Sequence, residues 1–420
     1  MQLESTPLSP RQTITVVLAG GRGTRLEGLT ERSSKPGLDF GGQFKIIDFA
    51  LSNCVNSGFR RVMVLTQYSA HSLLEHLQLG WGFLSGHLNE FIQAYPAEQR
   101  RERESWYQGT ADAVYQNLPS IMAHRPRNVL VLAGDHVYRM DYKAFLRDHL
   151  QAEADLSIAC LEVPRAEASS FGVLAVDGSD RVTAFVEKPA EPPGLPGAPD
   201  RSLASMGIYF FNAGFLYDLL KRDAADPDSR HDFGADLIPS ALARGARIFA
   251  HRFERSAVRS LPGGPYWRDV GTLDAFWDAN MDLTAPEPKL DLFDADWPIF
   301  THLEPLPPAR LVRSHVDPSP SGHESVVGPG CLVEGAHLEG SLLSSRVRVH
   351  AGTRVEDSVV LPDVEIGAGC RFRRTLLARG CRIPDGTVVG EDPAEDARRF
   401  HVTAGGIALV TPRLLQRNVG

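Results

Sequence analysis

Two arginines, three glycines and a following lysine crowd one short stretch of this chain, a mixture suited to holding phosphate. The stretch is Leu18-Ala19-Gly20-Gly21-Arg22-Gly23-Thr24-Arg25-Leu26, with Lys35-Pro36 downstream. It follows an apolar run, residues 14–18, that reads as a buried parallel strand. Glycines without a Cβ let backbone N–H groups close on an anion. Arg22, Arg25 and Lys35 add charge for several phosphate oxygens. The spacing is not that of a dinucleotide fold, because Leu26 stands where G-x-G-x-x-G has its third glycine. No Gly-Lys-Ser/Thr closes it as a Walker loop either.

Asp135 ends the apolar run Val129-Leu130-Val131-Leu132-Ala133-Gly134. A carboxylate at the end of a buried strand, with a glycine leaving room beside it, suits Mg²⁺, which takes one or two carboxylates plus substrate oxygens. Asp269, in Tyr266-Trp267-Arg268-Asp269-Val270-Gly271-Thr272, is a second candidate ligand. Strand-end aspartates also form turns and caps, and His136 reads as structural.

These residues need a scaffold that delivers them to one edge. Strand patterns at residues 15–18, 61–66, 129–133 and 156–160 alternate with helical patterns at 49–57, 70–78, 111–123 and 142–151. Such alternation predicts an α/β, Rossmann-like, mostly parallel sheet with helices on both faces. Ligands bind outside the carboxyl ends of such strands. The glycine loop and Gly134-Asp135 both fall there.

The chain has 420 residues, of which 43% are hydrophobic and 23% charged, so two soluble domains are expected. A net charge of −8 argues against broad nucleic-acid or anionic-membrane binding. The five cysteines, Cys54, Cys160, Cys331, Cys370 and Cys381, form no C-x-x-C pair, which fits free thiols in a reducing cytoplasm. Residues 1–13 form a polar segment without the apolar stretch of a signal peptide, and no apolar run is long enough to span a membrane. The expected division is a catalytic domain at 14–288, a proline-rich connection at 289–321 and a second domain at 322–420. In that last part Val327 and Val333, Val349 and Val355, Ile366 and Phe372, and Ile383 and Val389 recur six apart. This hexapeptide period, although it slips between pairs, predicts a C-terminal left-handed parallel β-helix.

The glycine string with its Lys-Pro resembles the sugar-nucleotide pyrophosphorylases, which join a nucleoside triphosphate to a sugar 1-phosphate. Trp106-Tyr107-Gln108-Gly109-Thr110-Ala111-Asp112-Ala113, Leu51-Ser52-Asn53-Cys54, the Asp269 string and Asp396-Ala397-Arg398-Arg399-Phe400 narrow it. Together they resemble the bacterial glucose-1-phosphate adenylyltransferases, over about residues 14–412. The resemblance implies that Tyr107, Gly172, Glu187, Lys188 and Ser205 contact glucose 1-phosphate. It implies that Gly20, Gly21, Gly23, Thr24, Gly109, Thr110 and Ala111 hold ATP, and that Asp135 and Asp269 carry Mg²⁺. No nucleophilic side chain is needed, since an ionised sugar phosphate attacks the α-phosphorus directly; Arg25 and Lys35 would neutralise the charge. Gln67 and Trp106 match positions linked to communication between sites.

The family is allosteric, and a homotetramer is expected. Its members often carry a basic pair and alanine before the Lys-Pro, where this chain has Glu31-Arg32-Ser33-Ser34. Arg32, Lys45, Arg373 and Arg374 are therefore expected to clamp a phosphorylated or keto-acid effector where the domains meet. The basic run at 371–374 reads equally as a solvated face. Three alternatives remain: a pyrophosphorylase for another base or sugar; a hexapeptide acyltransferase using His323, His337 or His350; and a non-catalytic regulatory subunit. Retention of Arg25, Lys35, Asp135 and Lys188 together argues against the last.

Overall fold

The computed structural model describes residues 9–21, 23–31, 33–97, 106–258, 264–313 and 323–417. Arg22 and Arg32 lie outside the described residues. The first apolar run forms β1 (Thr13–Ala19). Its alternate side chains find cover on both faces. Val16 packs with Met63, Val129 and Ile121, while Val17 packs with Val62, Leu130 and Ile47. Cover on both faces is why the sequence reads as a continuous apolar run and not as an alternation.

A hairpin of β2 (Asp39–Phe40) and β3 (Phe44–Lys45) leads to α1 (Ile46–Asn56), β4 (Arg61–Thr66), α2 (His71–Gly80) and β5 (Phe91–Pro96). Then come α3 (Thr110–Gln116), α4 (Leu118–Ala123), β6 (Asn128–Ala133), β7 (His136–Tyr138) and α5 (Tyr142–Gln151). The sheet continues with β8 (Leu156–Pro164), β9 (Gly172–Val176), β10 (Val182–Glu187) and β11 (Arg201–Asn212). The domain closes with α6 (Ala213–Asp223), α7 (Ile238–Ala243), β12 (Ile248–Arg252), β13 (Trp267–Asp269) and α8 (Leu273–Met281).

The strands run in the order β5-β4-β1-β6-β11, parallel as far as β6. Long β11 is antiparallel to β6 and pairs antiparallel with both β8 and β9. The sheet is thus parallel where the glycine loop and Asp135 arise and mixed beyond. With β4 on one flank of β1 and β6 on the other, their carboxyl ends form a topological switch point.

Two helices differ from expectation. The pattern at 111–123 is two helices broken at Asn117, because Pro119 lacks the N–H to continue the ladder. Helix α1 starts three residues ahead of its pattern, where Asp48 accepts from the Lys45 N–H at 2.8 Å and caps Ile46 and Ile47 into the helix.

Beyond residue 323 the short strands stack into three parallel columns. Val349, Ile366 and Ile383 share one buried column, and Val355, Phe372 and Val389 the next. Valines six apart therefore sit on adjacent sides of one coil of a left-handed β-helix. Arg348, Glu365 and Arg382 stand opposite one another seventeen residues apart, one short of three hexapeptides, which is why the period slips. Arg310–Val312, within the expected connection, pairs with Leu332–Glu334 as an edge strand. Ala408–Val410 returns to pair with Thr375–Leu377.

The two domains share a core. Leu26, Leu29, Phe44, Phe276 and Leu283 of the first pack in one cluster with Val333, Val349, Ile366 and Leu409 of the second. All five cysteines are free and buried. Among the described residues no helix is long and apolar enough to cross a membrane.

Candidate active site

Strand β6 ends at Ala133, and Gly134 N–H donates to Leu18 O at 3.0 Å, drawing the ends of β1 and β6 together. A Cβ on Gly134 would stand 2.9 Å from Val17 Cγ1, so only glycine permits the approach. Asp135 follows, and β7 then pairs antiparallel with β13 so that His136 faces Asp269. Two carboxylates far apart in sequence are thereby brought to one point.

Lys35 lies between them, its Nζ 3.0 Å from Asp135 Oδ2 and 2.6 Å from Asp269 Oδ1. Its side chain is 6% exposed, against 34% and 25% for the two carboxylates. Burial disfavours the Lys35 ammonium, yet the adjoining carboxylates outweigh it and raise its pKa. Burial likewise works against the Asp135 carboxylate, but Lys35, with His136 adding, holds it down at about 2. Asp135 is therefore ionised at any ordinary pH. Arg25 joins the group: its Nη2 and Asp269 Oδ1 each stand 3.0 Å from where a Cβ on Gly271 would be.

Asp135, His136 and Asp269 offer ligand atoms within 4.8 Å of one another. The two carboxylates are hard oxygen donors open to the crevice, as Mg²⁺ requires. The His136 ring is edge-on to Trp267 at 5.0 Å, and its Nδ1 is buried with no partner. A metal-bound imidazole donates its other N–H to an acceptor, and His136 has none there. The donor set fits a carboxylate-bound ion with His136 outside the coordination.

A second group adjoins through Trp267, whose ring also meets that of Phe171 at 5.7 Å. Gly172 opens β9, and a Cβ there would lie 2.4 Å from Phe185 Cζ and 2.8 Å from Glu187 Oε2. A Cβ on Gly234 would lie 2.4 Å from the same oxygen. Glu187 is thus wedged between two glycines. Lys188 takes φ +45°, donates its N–H to Phe171 O and stays largely exposed, with Nζ 3.3 Å from Glu187. Ser205 sits at a bulge of β11 where Gly207 adopts φ +67°, and its hydroxyl accepts from Gly207 N–H at 3.3 Å. The structure therefore gathers Glu187, Lys188 and Gly172 at one mouth, while the Ser205 hydroxyl turns inward.

The third group docks on the segment after α6. Ala111 N–H donates to His231 O at 2.8 Å, and Thr110 Oγ1 donates to Asp232 Oδ2 at 2.9 Å. A Cβ on Gly109 would stand 2.2 Å from His231 O. The Thr110 hydroxyl and Ala111 amide are thus committed within the protein. Nearby, Gln67 lies between the glycine loop and Tyr107: its Cβ abuts Gly20, and its Nε2 reaches Tyr107 O at 3.5 Å. Trp106 stacks on Tyr68 at 5.5 Å. Gly20, Gly21, Gly23 and Thr24 border this space, with Gly23 leading the turn Thr24–Thr30.

The expected basic clamp is not assembled as the sequence suggested. Lys45 lines a cavity of about 690 Å³ between the domains, bonded to Asp39 at 3.1 Å and to Gly37 O. Arg373 and Arg374 do not line it. The Arg374 guanidinium stacks on Trp277 and bonds Gly405 O, because its φ of +49° turns it to the other flank of the coil. Arg379 lines the cavity instead, reaching Asp39 at 2.8 Å. Sequence reading missed Arg379, His231, Asp232 and Gly234. An Asp opening an apolar helical run was the available sign for Asp232, which accepts from Gly234 and Ala235 N–H as an N-cap.

Two family models match the chain: nucleotidyl transferase over residues 14–286, and GlmU-like C-terminal hexapeptide over 307–410. Curated relatives named glucose-1-phosphate adenylyltransferase match nearly end to end. That of Paraburkholderia phytofirmans is 53% identical over 97% of this chain and 97% of its own length. That of Rhodospirillum rubrum is 53% identical over 96% and 95%. A third, numbered 2 in Alkalilimnicola ehrlichii, is 54% identical over 97% and 96%. At that identity and coverage, and with the lysine-bridged carboxylates at the switch point of a nucleotidyl transferase sheet, the chain belongs to the glucose-1-phosphate adenylyltransferase family.

Proposed function

We propose that this chain transfers the adenylyl group of ATP to α-D-glucose 1-phosphate, releasing diphosphate and forming ADP-glucose, the glucosyl donor for glycogen synthesis. The observation that carries the reading is Lys35 between Asp135 and Asp269, directly beneath the β1 glycine loop. Asp135 and Asp269 would hold Mg²⁺, which supplies neutralisation of the phosphate charge. The loop amides and Thr24 bind the triphosphate, and Arg25 and Lys35 offset charge as diphosphate leaves. Glu187 accepts hydrogen bonds from sugar hydroxyls, and Lys188 steadies the sugar phosphate so that its oxygen lies in line with the α-phosphorus. Gly172, Tyr107 and Ser205 shape that pocket; Gly109, Thr110 and Ala111 shape the base side.

The regulatory part of the proposal shifts to Lys45 and Arg379 as the anion clamp of the interdomain cavity, with Arg32 as a third contributor. It retains a homotetramer and a cytoplasmic setting, which five free buried cysteines support. The deciding assay is diphosphate release from glucose 1-phosphate with ATP, GTP, CTP and UTP in turn. A clear preference for ATP is expected; a higher kcat/KM with another nucleotide overturns the substrate assignment.

A further inference from the structure

The Lys35 ammonium occupies the seat between the two carboxylates. It is within hydrogen-bond reach of both Asp135 and Asp269 and almost wholly shielded from water. It reaches that seat from a short turn, Lys35–Gly37, whose three residues are all buried. A divalent cation bound to the same carboxylates would neutralise the same two charges and lie against the ammonium in a poorly screened site. Two cations cannot both be stabilised there at full strength.

We infer that metal and lysine exchange: entry of the metal releases the Lys35 ammonium from between Asp135 and Asp269, and the freed ammonium turns to the substrate's phosphate. This rests on the reading that these carboxylates hold the metal. Lys35 leaves as an ammonium, so the exchange moves no proton. Without a triphosphate the ammonium has no second anion to meet and competes with the metal. With one it has a partner, so metal and nucleotide bind cooperatively. Lys35 thus weakens the binding of metal alone and favours metal together with nucleotide. His136 Nε2 also faces both carboxylates but stands farther off than Lys35, 3.6 Å from Asp135 and 4.0 Å from Asp269.

The test uses Mn²⁺ as probe, followed by electron paramagnetic resonance on the full chain without nucleotide. Lys35→Met is expected to bind Mn²⁺ at least about tenfold tighter than the parent. On the parent, acetic anhydride labelling of Lys35, one of six lysines, is expected to rise as Mn²⁺ saturates. The labelling decides the matter should Lys35→Met fail to fold. Equal or weaker Mn²⁺ binding by folded Lys35→Met, or labelling that Mn²⁺ leaves unchanged, overturns the exchange. Asp135→Asn separates the two ideas: lost affinity in it keeps the metal reading even if the exchange fails, whereas undiminished affinity sinks the metal reading itself.

Discussion

Replacing Asp135 by asparagine keeps the shape of the side chain and deletes one charge from a group of three. At 3.0 Å from Lys35, that charge is worth about 5 kcal/mol of pairwise attraction at an effective dielectric of about 20. Since the side chain is 34% exposed, water screens it by half, to about 2–3 kcal/mol. The fold tolerates the loss because Lys35 keeps Asp269 at 2.6 Å, so no buried cation is left unpaired. Under the proposed assignment the transition state is less forgiving, because the deleted charge is one of the two that would hold metal against the phosphates. A fall in kcat of about a thousandfold or more, about 4 kcal/mol, is expected. The melting temperature should fall by several degrees only, as about 2–3 kcal/mol produces in a chain of this size. The assay is diphosphate release at saturating ATP and glucose 1-phosphate, paired with a thermal melt. A folded Asp135→Asn enzyme with kcat within about fivefold of the parent refutes the reasoning.

Lys188→Ala should raise KM for glucose 1-phosphate at least about tenfold and leave KM for ATP nearly unchanged, since its exposed Nζ stands beside Glu187 and away from the glycine loop; equal effects on both in initial-rate kinetics would move it out of the sugar site. His149 is buried and its Nδ1 meets Ser157 Oγ at 2.9 Å; burial, against Asp155, lowers its pKa from 6.5 to about 4. The unfolded chain therefore takes up a proton there before the folded one. The stability this gives is fully present above pH 6.5 and is lost as pH falls toward 4, about 3 kcal/mol in all. Urea midpoints from pH 7 to 4.5 should fall less steeply in His149→Asn. Arg379→Ala should weaken activation by a phosphorylated or keto-acid effector while sparing unactivated turnover; a panel of such metabolites that activates parent and variant alike would remove Arg379 from the clamp.

The parts of this site that were legible in the sequence are those where chemistry and strand ends coincide. The glycine loop after β1 and Asp135 after β6 announced themselves because a parallel strand covered on both faces is a solid apolar run with a sharp end. Strand β4 was read to the residue, Arg61–Thr66, for the same reason. Asp269 was harder, because what makes it a partner of Asp135 is the antiparallel pairing of β7 and β13. No local pattern records that pairing. The mixed half of the sheet was invisible because β11 is antiparallel to three different strands, and each such contact is tertiary. That Arg373 and Arg374 lie away from the interdomain cavity was hidden for a related cause. Basic character is local, but the side of a coil a residue occupies depends on a seventeen-residue turn and a left-handed backbone angle. Arg379 has the same charge and the other side.

Leu26 and Leu29 follow the glycine loop by a few residues and are buried in the same cluster as Leu409, near the far end of the chain. A Cβ on Gly28 between them would stand 2.8 Å from Thr411 Cγ2. During synthesis, then, the phosphate loop emerges early but its far support is made last, after roughly tens of seconds of translation. Until residues 408–410 add their strand, Leu26 and Leu29 have part of their cover missing. The nascent chain should reach a folded sheet well before it reaches a working loop. A ribosome-bound chain ending ahead of Ala408 would carry every residue assigned to the chemistry while the leucines behind its glycine loop still lacked part of their cover.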